Sequence, residues 1–188
     1  MEEVQALFKD VFKVHKKLDV LVNNAGITRD DYMLTMRPQA WSEVLDTNLH
    51  GVYHCCKAVV RNMCAAKKGV IVTIASGAAL GACPGQVNYS AAKSALLGFS
   101  RSLAREVASK GVRVVNVAPG FFKTDMTQAL DSRVVEDSVR VTPMGRWGFP
   151  EELASVVGYL VSDDAAYMTG QTVSVDGGRG AVESEYGF

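Results

Sequence analysis

The feature that most constrains the fold is the alternation of short apolar runs with longer segments of helical periodicity. The apolar runs, which we predict as strands, cover 18–24, 70–75, 112–119 and 172–176. The helical segments cover 2–16, 39–66, 87–110 and 150–161. Because the strands are apolar throughout, both faces of their sheet must be covered. The sequence therefore predicts an α/β fold, a doubly wound parallel sheet with helices on both faces.

Length and charge narrow the class of protein. The 188 residues suit one domain, which we expect to cover 1–188. Twenty basic and twenty acidic residues give a net charge of zero, which excludes a general nucleic-acid binder. No apolar run reaches the roughly 18 residues that span a bilayer, so no membrane helix is predicted. Residues 1–10 lack the apolar core of an export signal. We expect a cytoplasmic protein with reduced cysteines, unless an upstream segment directs it to an organelle.

A tyrosine and a lysine near the start of the 87–110 helix form the first candidate for catalysis. Tyr89 and Lys93 stand four residues apart and therefore share one helix face. An ammonium beside a phenol favours the phenolate, so we expect the pKa of Tyr89 to lie below its usual value near 10. Such a pair can act as general acid and base near neutral pH. The same spacing also occurs by chance in ordinary helices, so the pair needs support from its neighbours.

Two further polar residues provide that support. Ser76 follows the second predicted strand directly, and ligands of open α/β sheets bind at the carboxyl ends of strands. Its hydroxyl can hold a substrate carbonyl oxygen. Asn48 falls on the apolar stripe of the 39–66 helix and must therefore find buried partners, either a water chain to Lys93 or nearby backbone. The predicted catalytic set is Asn48, Ser76, Tyr89 and Lys93.

These residues belong to a wider set of motifs that carry a family resemblance. They are NNAG at 23–26, Asn48, Ser76 with Tyr-x-x-x-Lys 13 residues later, and Pro119-Gly120 followed by Thr124. The chain resembles the short-chain dehydrogenase/reductase family over its whole length. The segments NNAGITRD, GFSRSLAREVASKG, NVAPGFFKTDMT and AAYMTGQTVSVDGG are most similar to 3-oxoacyl-[acyl-carrier-protein] reductases.

The resemblance implies a Rossmann-like fold and a reaction. The reaction is NADPH-dependent reduction of a 3-oxoacyl thioester to the 3-hydroxyacyl thioester in fatty acid synthesis, with NAD(H) still open as the cofactor. Another short-chain ketone or polyketide reductase is an alternative. So is an inactive, truncated subunit that acts only in oligomer contacts.

The resemblance also implies roles for individual residues. Tyr89 protonates the substrate carbonyl, Lys93 lowers the pKa of Tyr89 and holds the nicotinamide ribose, Ser76 positions the carbonyl, and Asn48 anchors a relay water. Tyr89 and Lys93 thus contact the cofactor as well. The other implied cofactor contacts are Asn24, Ala25 and Gly26 on the adenosine side, and Pro119, Gly120, Phe122 and Thr124 at the nicotinamide end.

One element of the family pattern is not found in this sequence. Family members carry a further βαβαβ segment, about 60 residues long, before the helix at 2–16. Its Gly-rich turn binds the cofactor pyrophosphate at a helix N-terminus. Gly77, Gly81 and Gly85 do not replace that turn, because position 83 is Cys where the pattern needs a third glycine. We therefore expect an N-terminally truncated domain that binds the cofactor weakly.

Two consequences for surfaces follow from the same pattern. The strand at 18–24 is expected to be an unpaired apolar edge that invites association. The long irregular stretch at 120–148 is expected to form a mobile substrate lid.

The two long helices predict contacts with other subunits. Apolar residues lie around more than one side of the 39–66 and 87–110 helices, which indicates burial on more than one side. We expect a homo-oligomer paired through both helices, and the resemblance implies a tetramer completed through the last strand and the 150–161 helix.

Basic and histidine side chains on the same helices each allow two interpretations. Lys67, Lys68 and Lys110 stand at helix ends, where they either stabilise helix C-termini or, as the resemblance implies, contact an acidic acyl carrier protein. His50 and His54 have the spacing of metal ligands, but no third ligand is evident and no metal site is predicted.

Overall fold

A parallel sheet forms the centre of the computed structural model, which describes residues 2–124, 127 and 131–181. The four strands are hydrogen-bonded in the order β1-β2-β3-β4. They are β1 Val20–Asn23, β2 Gly69–Ile74, β3 Val112–Pro119 and β4 Thr172–Val175. The predicted α/β fold is confirmed, and within the described part of the chain β1 is the predicted edge strand. Its Val20 and Val22 are 37% and 41% exposed.

Six α-helices accompany these strands in the part of the chain that the structure describes. They are α1 Glu2–His15, α2 Pro38–Leu45, α3 Gly51–Ala66, α4 Val87–Val107, α5 Ser132–Arg140 and α6 Pro150–Val161. The helix predicted at 39–66 is thus α2 and α3, joined by a π-helical turn at Asp46–His50. The helix predicted at 87–110 ends in a 3₁₀ turn at Ala108–Lys110.

Two apolar cores lie on opposite faces of the sheet. On one face, α1, α3 and α4 pack over a core that includes Met63 and Ile71. On the other face, α6 packs through Leu160 over Val70 and Val72. Because successive side chains of a strand point to opposite faces, both neighbours of Ile71 belong to the second core. This two-sided burial explains why the strands are apolar throughout.

The π-helical turn corrects the predicted buried stripe of the 39–66 helix. The spacing with Leu45 and Val52 predicts Trp41 in the stripe and Val44 on the outer face of the helix. Trp41 is instead 38% exposed, and Val44 is fully buried. A π turn adds one residue to the helix and so rotates everything before it by about one residue. Counting back from Val52 in steps of three and four through an ordinary helix gives Leu49, Leu45 and Trp41. The residue that is buried in place of Leu45 is Val44, one position earlier.

The stretch predicted as irregular at 120–148 contains a helix, so that prediction was wrong over α5. The Asp131 side chain caps this helix by accepting from the Arg133 amide at 2.8 Å. The indole of the buried Trp147 donates to the Ser138 hydroxyl at 2.7 Å and holds the helix in place. Residues 125–126 and 128–130 of the predicted lid lie outside the described residues.

Candidate active site

The buried ammonium of Lys93 is the most unusual group at the carboxyl edge of the sheet. Lys93 is 3% exposed, and its Nζ donates a 2.7 Å hydrogen bond to the carbonyl of Ile74. Loss of water lowers the pKa of Lys93 to about 8. The side chain therefore still carries most of its positive charge at neutral pH, in a place where few charges are found.

Tyr89 lies one helical turn earlier on α4. The Lys93 Nζ is 5.7 Å from the centre of the Tyr89 ring. Burial raises the pKa of the Tyr89 phenol above its usual value, and a hydrogen bond with Ser76 partly opposes this. The expected lowering of the Tyr89 pKa by Lys93 was therefore wrong for this structure. Loss of water is the largest cause of the shift, and the hydrogen bond of the Lys93 ammonium is directed at Ile74.

The Ser76 hydroxyl is placed so that it can donate a hydrogen bond to a bound substrate. It follows β2 in an extended conformation, and its Oγ accepts from the amide of Ala78 at 3.1 Å. A serine hydroxyl has one donor and two acceptor positions, so this contact leaves the O–H free to donate. Ser76 lies close enough to the Tyr89 phenol to lower its pKa, so the two hydroxyls can reach the same substrate oxygen.

Asn48 lies in the π turn and is fully buried. Its Oδ1 accepts from the amide of Ile27 and its Nδ2 donates to the Ile27 carbonyl, both at 2.9 Å. Nearby backbone is thus one source of the partners that burial requires of this side chain. This pair fixes the segment after β1 against the helix that carries Asn48.

Gly26 is the point at which Asn48 and Lys93 meet. A Cβ on Gly26 would lie 3.2 Å from the Asn48 Oδ1 and 3.5 Å from the Lys93 Nζ. The absence of a side chain therefore leaves room beside both groups. The preceding Asn24 and Ala25 are exposed on the same segment.

The end of β3 adds the next group of predicted residues. The Ala75 amide donates to the Val117 carbonyl at 2.7 Å, and a Cβ on Gly77 would lie 3.4 Å from the Pro119 carbonyl oxygen. Pro119 therefore lies beside the segment that begins with Ser76. Gly120 packs so closely on β4 that a Cβ there would lie 2.8 Å from the Cα of Asp176.

Phe122 and Thr124 lie on a segment that is tied to the loop before α6. The buried Phe122 pairs with Gly148 in an isolated parallel bridge. Its carbonyl accepts from the Thr127 hydroxyl at 2.7 Å, and that hydroxyl also accepts from the Thr124 amide at 2.9 Å. These contacts define the backbone of the segment, but they do not join it to Tyr89.

Asn88 is a residue of this region that the sequence reasoning missed. It is fully buried at the start of α4, and its amide group makes hydrogen bonds to the backbone of Arg29, Ala40 and Tyr89. A signal for it was present, because Asn88 stands at helical spacing from the buried Ala92 and Leu96. A buried asparagine beside a candidate catalytic residue must find partners, and that argument was applied only to Asn48.

The two histidines have other partners. The Nδ1 of His50 lies 2.8 Å from a carboxylate oxygen of Asp46, and the His54 ring packs on Tyr53 with 5.2 Å between ring centres. In the residues that the structure describes, no group of three or more His, Cys, Asp or Glu residues is placed to hold a metal ion. None of the helices described here is long and apolar enough to span a bilayer.

The three predicted docking lysines lie at the opposite edge of the sheet from Tyr89. Lys67 and Lys68 follow α3, Lys110 ends the turn after α4, and all three are exposed. The backbone of Gly111 packs directly against the Lys67 carbonyl, so the ends of the two helices meet. At 1.5 Å per residue, α4 separates this cluster from Tyr89 by roughly 30 Å.

Known proteins match nearly the whole chain. A family model described as enoyl-(acyl carrier protein) reductase matches residues 1–179. A 3-oxoacyl-[acyl-carrier-protein] reductase of Chlamydia trachomatis is 45% identical over 175 residues, which are 93% of this chain and 71% of that protein. The protein of the same name from Vibrio cholerae is 44% identical over 177 residues, 94% of this chain and 72% of the relative. That of Synechocystis is 48% identical over 178 residues, with shares of 94% and 71%.

Proposed function

The chain belongs to the short-chain dehydrogenase/reductase family and is an oxidoreductase similar to 3-oxoacyl-[acyl-carrier-protein] reductases, and on this basis we propose that it reduces a 3-oxoacyl thioester with NADPH. The observation that carries the proposal is the convergence of Ser76, Tyr89 and Lys93 at one edge of a parallel sheet. Ligands of open α/β sheets bind at this edge.

The residues at this edge fit a nicotinamide dinucleotide. Lys93 offers a buried cationic donor, and the bare Cα of Gly26 leaves space beside it. Tyr89 and Lys93 would hold the nicotinamide ribose. The rest of the cofactor would contact Asn24, Ala25 and Gly26 on one side and Pro119, Gly120, Phe122 and Thr124 on the other. When bound, the cofactor supplies the hydride that reduces the C3 carbonyl carbon.

The chain's own groups supply the proton and hold the substrate. Ser76 donates to the carbonyl oxygen and keeps it beside the Tyr89 phenol. As the carbonyl carbon takes up hydride, the oxygen takes the phenol proton, so that C=O becomes CH–OH and Tyr89 is left as a phenolate. The nearby Lys93 ammonium stabilises that phenolate, and a proton from solvent restores the phenol.

Asn48 would anchor the relay water through the turn in which it lies. Both ends of its amide bind Ile27, so the side chain holds the segment that carries Gly26 in place. We therefore assign the relay water to the backbone of the π turn around Asn48. Turns of this type recur at functional sites because they interrupt the regular helical hydrogen-bond pattern.

Oligomer contacts are part of the proposal. A groove of about 300 Å³ runs between α3 and α4, and Tyr53, Val60, Phe99 and Leu103 are among its lining residues. A second copy of the chain, related by a two-fold axis, would cover this groove, and β4 with α6 would complete a tetramer. With the two-fold axis perpendicular to α4, the two α4 helices would run antiparallel. The Lys67, Lys68 and Lys110 cluster of one subunit then lies toward the Tyr89 end of the other, where an acyl carrier protein would deliver its thioester.

A substrate comparison tests the proposed reaction. NADPH oxidation is followed with a 3-oxoacyl thioester, a simple cyclic ketone and a 2-enoyl thioester, and each is repeated with NADH. We expect the 3-oxoacyl thioester with NADPH to give the highest kcat/KM. Preference for the ketone or the enoyl thioester would overturn the assignment of substrate, and no turnover of any of the three would favour the non-catalytic subunit.

A further inference from the structure

Asn88 joins three separate parts of the chain at the start of α4. Its Nδ2 donates to the carbonyl of Arg29, in the segment after β1, at 3.0 Å. The same nitrogen donates to the carbonyl of Ala40, in α2, at 3.2 Å. Its Oδ1 accepts from the amide of Tyr89 at 2.8 Å. The side chain is fully buried, so water does not compete for these contacts.

The contact with Tyr89 replaces an ordinary helix cap. Tyr89 is the third residue of α4. The first backbone hydrogen bond of the helix begins one residue later, where the Ser90 amide donates to the Gln86 carbonyl. Amides before this bond have no partner within the helix. Gln86 stands at the N-cap position but makes no side-chain cap, because its amide group binds Asp30 instead. Asn88 therefore satisfies the amide of Tyr89 itself.

The contact with Arg29 belongs to a set that holds the segment after β1. Asn48 binds both backbone groups of Ile27, Gln86 binds the carboxylate of Asp30 at 2.7 Å, and the Asp31 amide donates to the Gly85 carbonyl at 2.8 Å. The segment 27–31 directly follows Gly26, which lies beside Lys93. It therefore connects the cofactor-contacting residues of the proposed function with the first turn of α4.

We propose that Asn88 is a positioning residue, which fixes Tyr89 relative to the cofactor-contacting segment by binding Tyr89 and Arg29 with one amide group. The inference rests on the proposed function for the role of Tyr89. We call the three hydrogen bonds of the Asn88 amide group the Asn88 clamp; its donor half binds Arg29 and Ala40, and its acceptor half binds Tyr89. The geometry of this clamp does not depend on turnover.

Two variants separate the two halves of the clamp. Asn88→Ala removes all three hydrogen bonds. Asn88→Asp keeps an oxygen that accepts from the Tyr89 amide but cannot donate to Arg29 or Ala40. Asn116→Ala is the matched control, because Asn116 is equally buried but binds Ser100, about three turns along α4 from Asn88, and Thr172 on β4.

Amide exchange measured by NMR gives the first readout. In Asn88→Ala we expect the amides of Ile27, Asp31 and Tyr89 to lose at least tenfold more protection than the global change in stability explains. In Asn88→Asp the Tyr89 amide keeps its protection, while those of Ile27 and Asp31 lose theirs. In Asn116→Ala all three follow global stability.

Titration of the Tyr89 phenol gives the second readout, which a purely structural role of Asn88 would not move. We expect the pKa of Tyr89 to fall toward its usual value in Asn88→Ala, since water reaches the loosened turn, and to stay unchanged in Asn116→Ala. Unchanged protection and an unchanged phenol pKa in Asn88→Ala would overturn the proposal. Global unfolding of both Asn88 variants, but not of the control, would also overturn the proposal, because the proposal assigns Asn88 a local role. None of these readouts needs catalysis, so they remain informative if the proposed reaction is wrong.

Discussion

The Nζ of Lys93 donates to the carbonyl of Ile74 across 2.7 Å, and this hydrogen bond joins the second turn of α4 to the last residue of β2. Ser76 comes two residues after Ile74, and Tyr89 lies one turn before Lys93. One hydrogen bond from a buried cation therefore fixes the strand end and the helix that carry the proposed chemistry. Burial of that cation opposes folding, as the lowered pKa of Lys93 shows.

The first prediction is that Lys93→Met stabilises the protein while abolishing reductase activity. A fall of the pKa from 10.5 to about 8 corresponds to a cost of roughly 3 kcal/mol for keeping the charge. The lost hydrogen bond to Ile74 offsets about 1 kcal/mol of the gain. We expect the free energy of unfolding at pH 7 to rise by about 2 kcal/mol, measured by urea denaturation. Lys9→Met, at an exposed site on α1, is the control and should change stability by less than about 0.5 kcal/mol.

The pH dependence of this difference follows from the direction of the shift. Between about pH 8 and pH 10.5 the unfolded chain keeps the Lys93 proton and the folded protein releases it. The wild-type protein therefore gains stability relative to Lys93→Met as the pH rises through this window. We expect the advantage of the variant to shrink steadily over that range. A variant that is less stable at pH 7, or a difference that does not change with pH, would contradict the burial argument.

The second prediction concerns the proton donor. Tyr89→Phe keeps the ring and its packing but removes the hydroxyl, so we expect kcat to fall by roughly 10²–10⁴-fold with little change in stability. Tyr167→Phe removes a phenol from a fully exposed position and should retain the wild-type rate. A Tyr89→Phe protein that keeps more than about a tenth of the wild-type rate would remove Tyr89 from the mechanism.

The third prediction tests the space beside Lys93. The added Cβ of Gly26→Ala would lie 3.2 Å from the Asn48 Oδ1, which cannot retreat because Ile27 holds both ends of the amide. We expect kcat/KM for NADPH to fall about tenfold, at a stability cost of about 1 kcal/mol. Gly98→Ala, on α4 with open space around the new methyl, is the control and should be neutral or slightly stabilising. Equal kinetics for the two variants would mean that the cofactor does not approach Gly26.

The fold was predictable from the sequence where a pattern had a single reading. The strand at 112–119 and the helix at 150–161 agree residue for residue with β3 and α6. The strand is a continuous apolar run that ends in Pro119, and the helical periodicity begins at Pro150. Each pattern leaves little choice of boundaries. By contrast, α5 has only three apolar residues in nine, all of them valine, and helix propensity alone does not indicate it.

The site was predictable in its residue types but not in its local bonding. Spacing alone places Tyr89 and Lys93 on one face of α4, and the strand end places Ser76 near them. The sequence does not show that Lys93 binds Ile74 or that burial raises the pKa of Tyr89, since both depend on how deeply α4 packs. The π turn at Asp46–His50 likewise has no composition of its own, and it shifts the phase that placed Trp41 and Val44 incorrectly.

The fourth prediction separates docking from chemistry. Charge reversal at Lys67, Lys68 and Lys110 should raise KM about tenfold for a 3-oxoacyl group carried on acyl carrier protein, while kcat/KM for a small soluble thioester stays unchanged. The selective effect is expected because the cluster lies roughly 30 Å from Tyr89 along α4. Reversal of Lys9, Lys13 and Lys16 on and after α1 gives a control of equal charge. If both substrates are affected alike, or if the control behaves in the same way, the cluster is not a docking site.

The fifth prediction concerns the groove between α3 and α4. Tyr53 is 43% exposed at this groove, although Val60 and Phe99 beside it are apolar. A carboxylate in an apolar interface between subunits loses water without gaining a partner. We therefore expect wild-type protein to form at least dimers in light scattering at micromolar concentration, and Tyr53→Asp to shift the population toward monomer without loss of helix content.

The control for this experiment lies on another helix. Val134 on α5 is 45% exposed and does not line the groove, so Val134→Asp adds the same charge to a similarly exposed apolar site. It should leave the oligomeric state unchanged. A wild-type monomer, or equal dissociation of both variants, would show that α3 and α4 do not form the interface, and the proposed delivery of substrate to the second subunit would then fail with it.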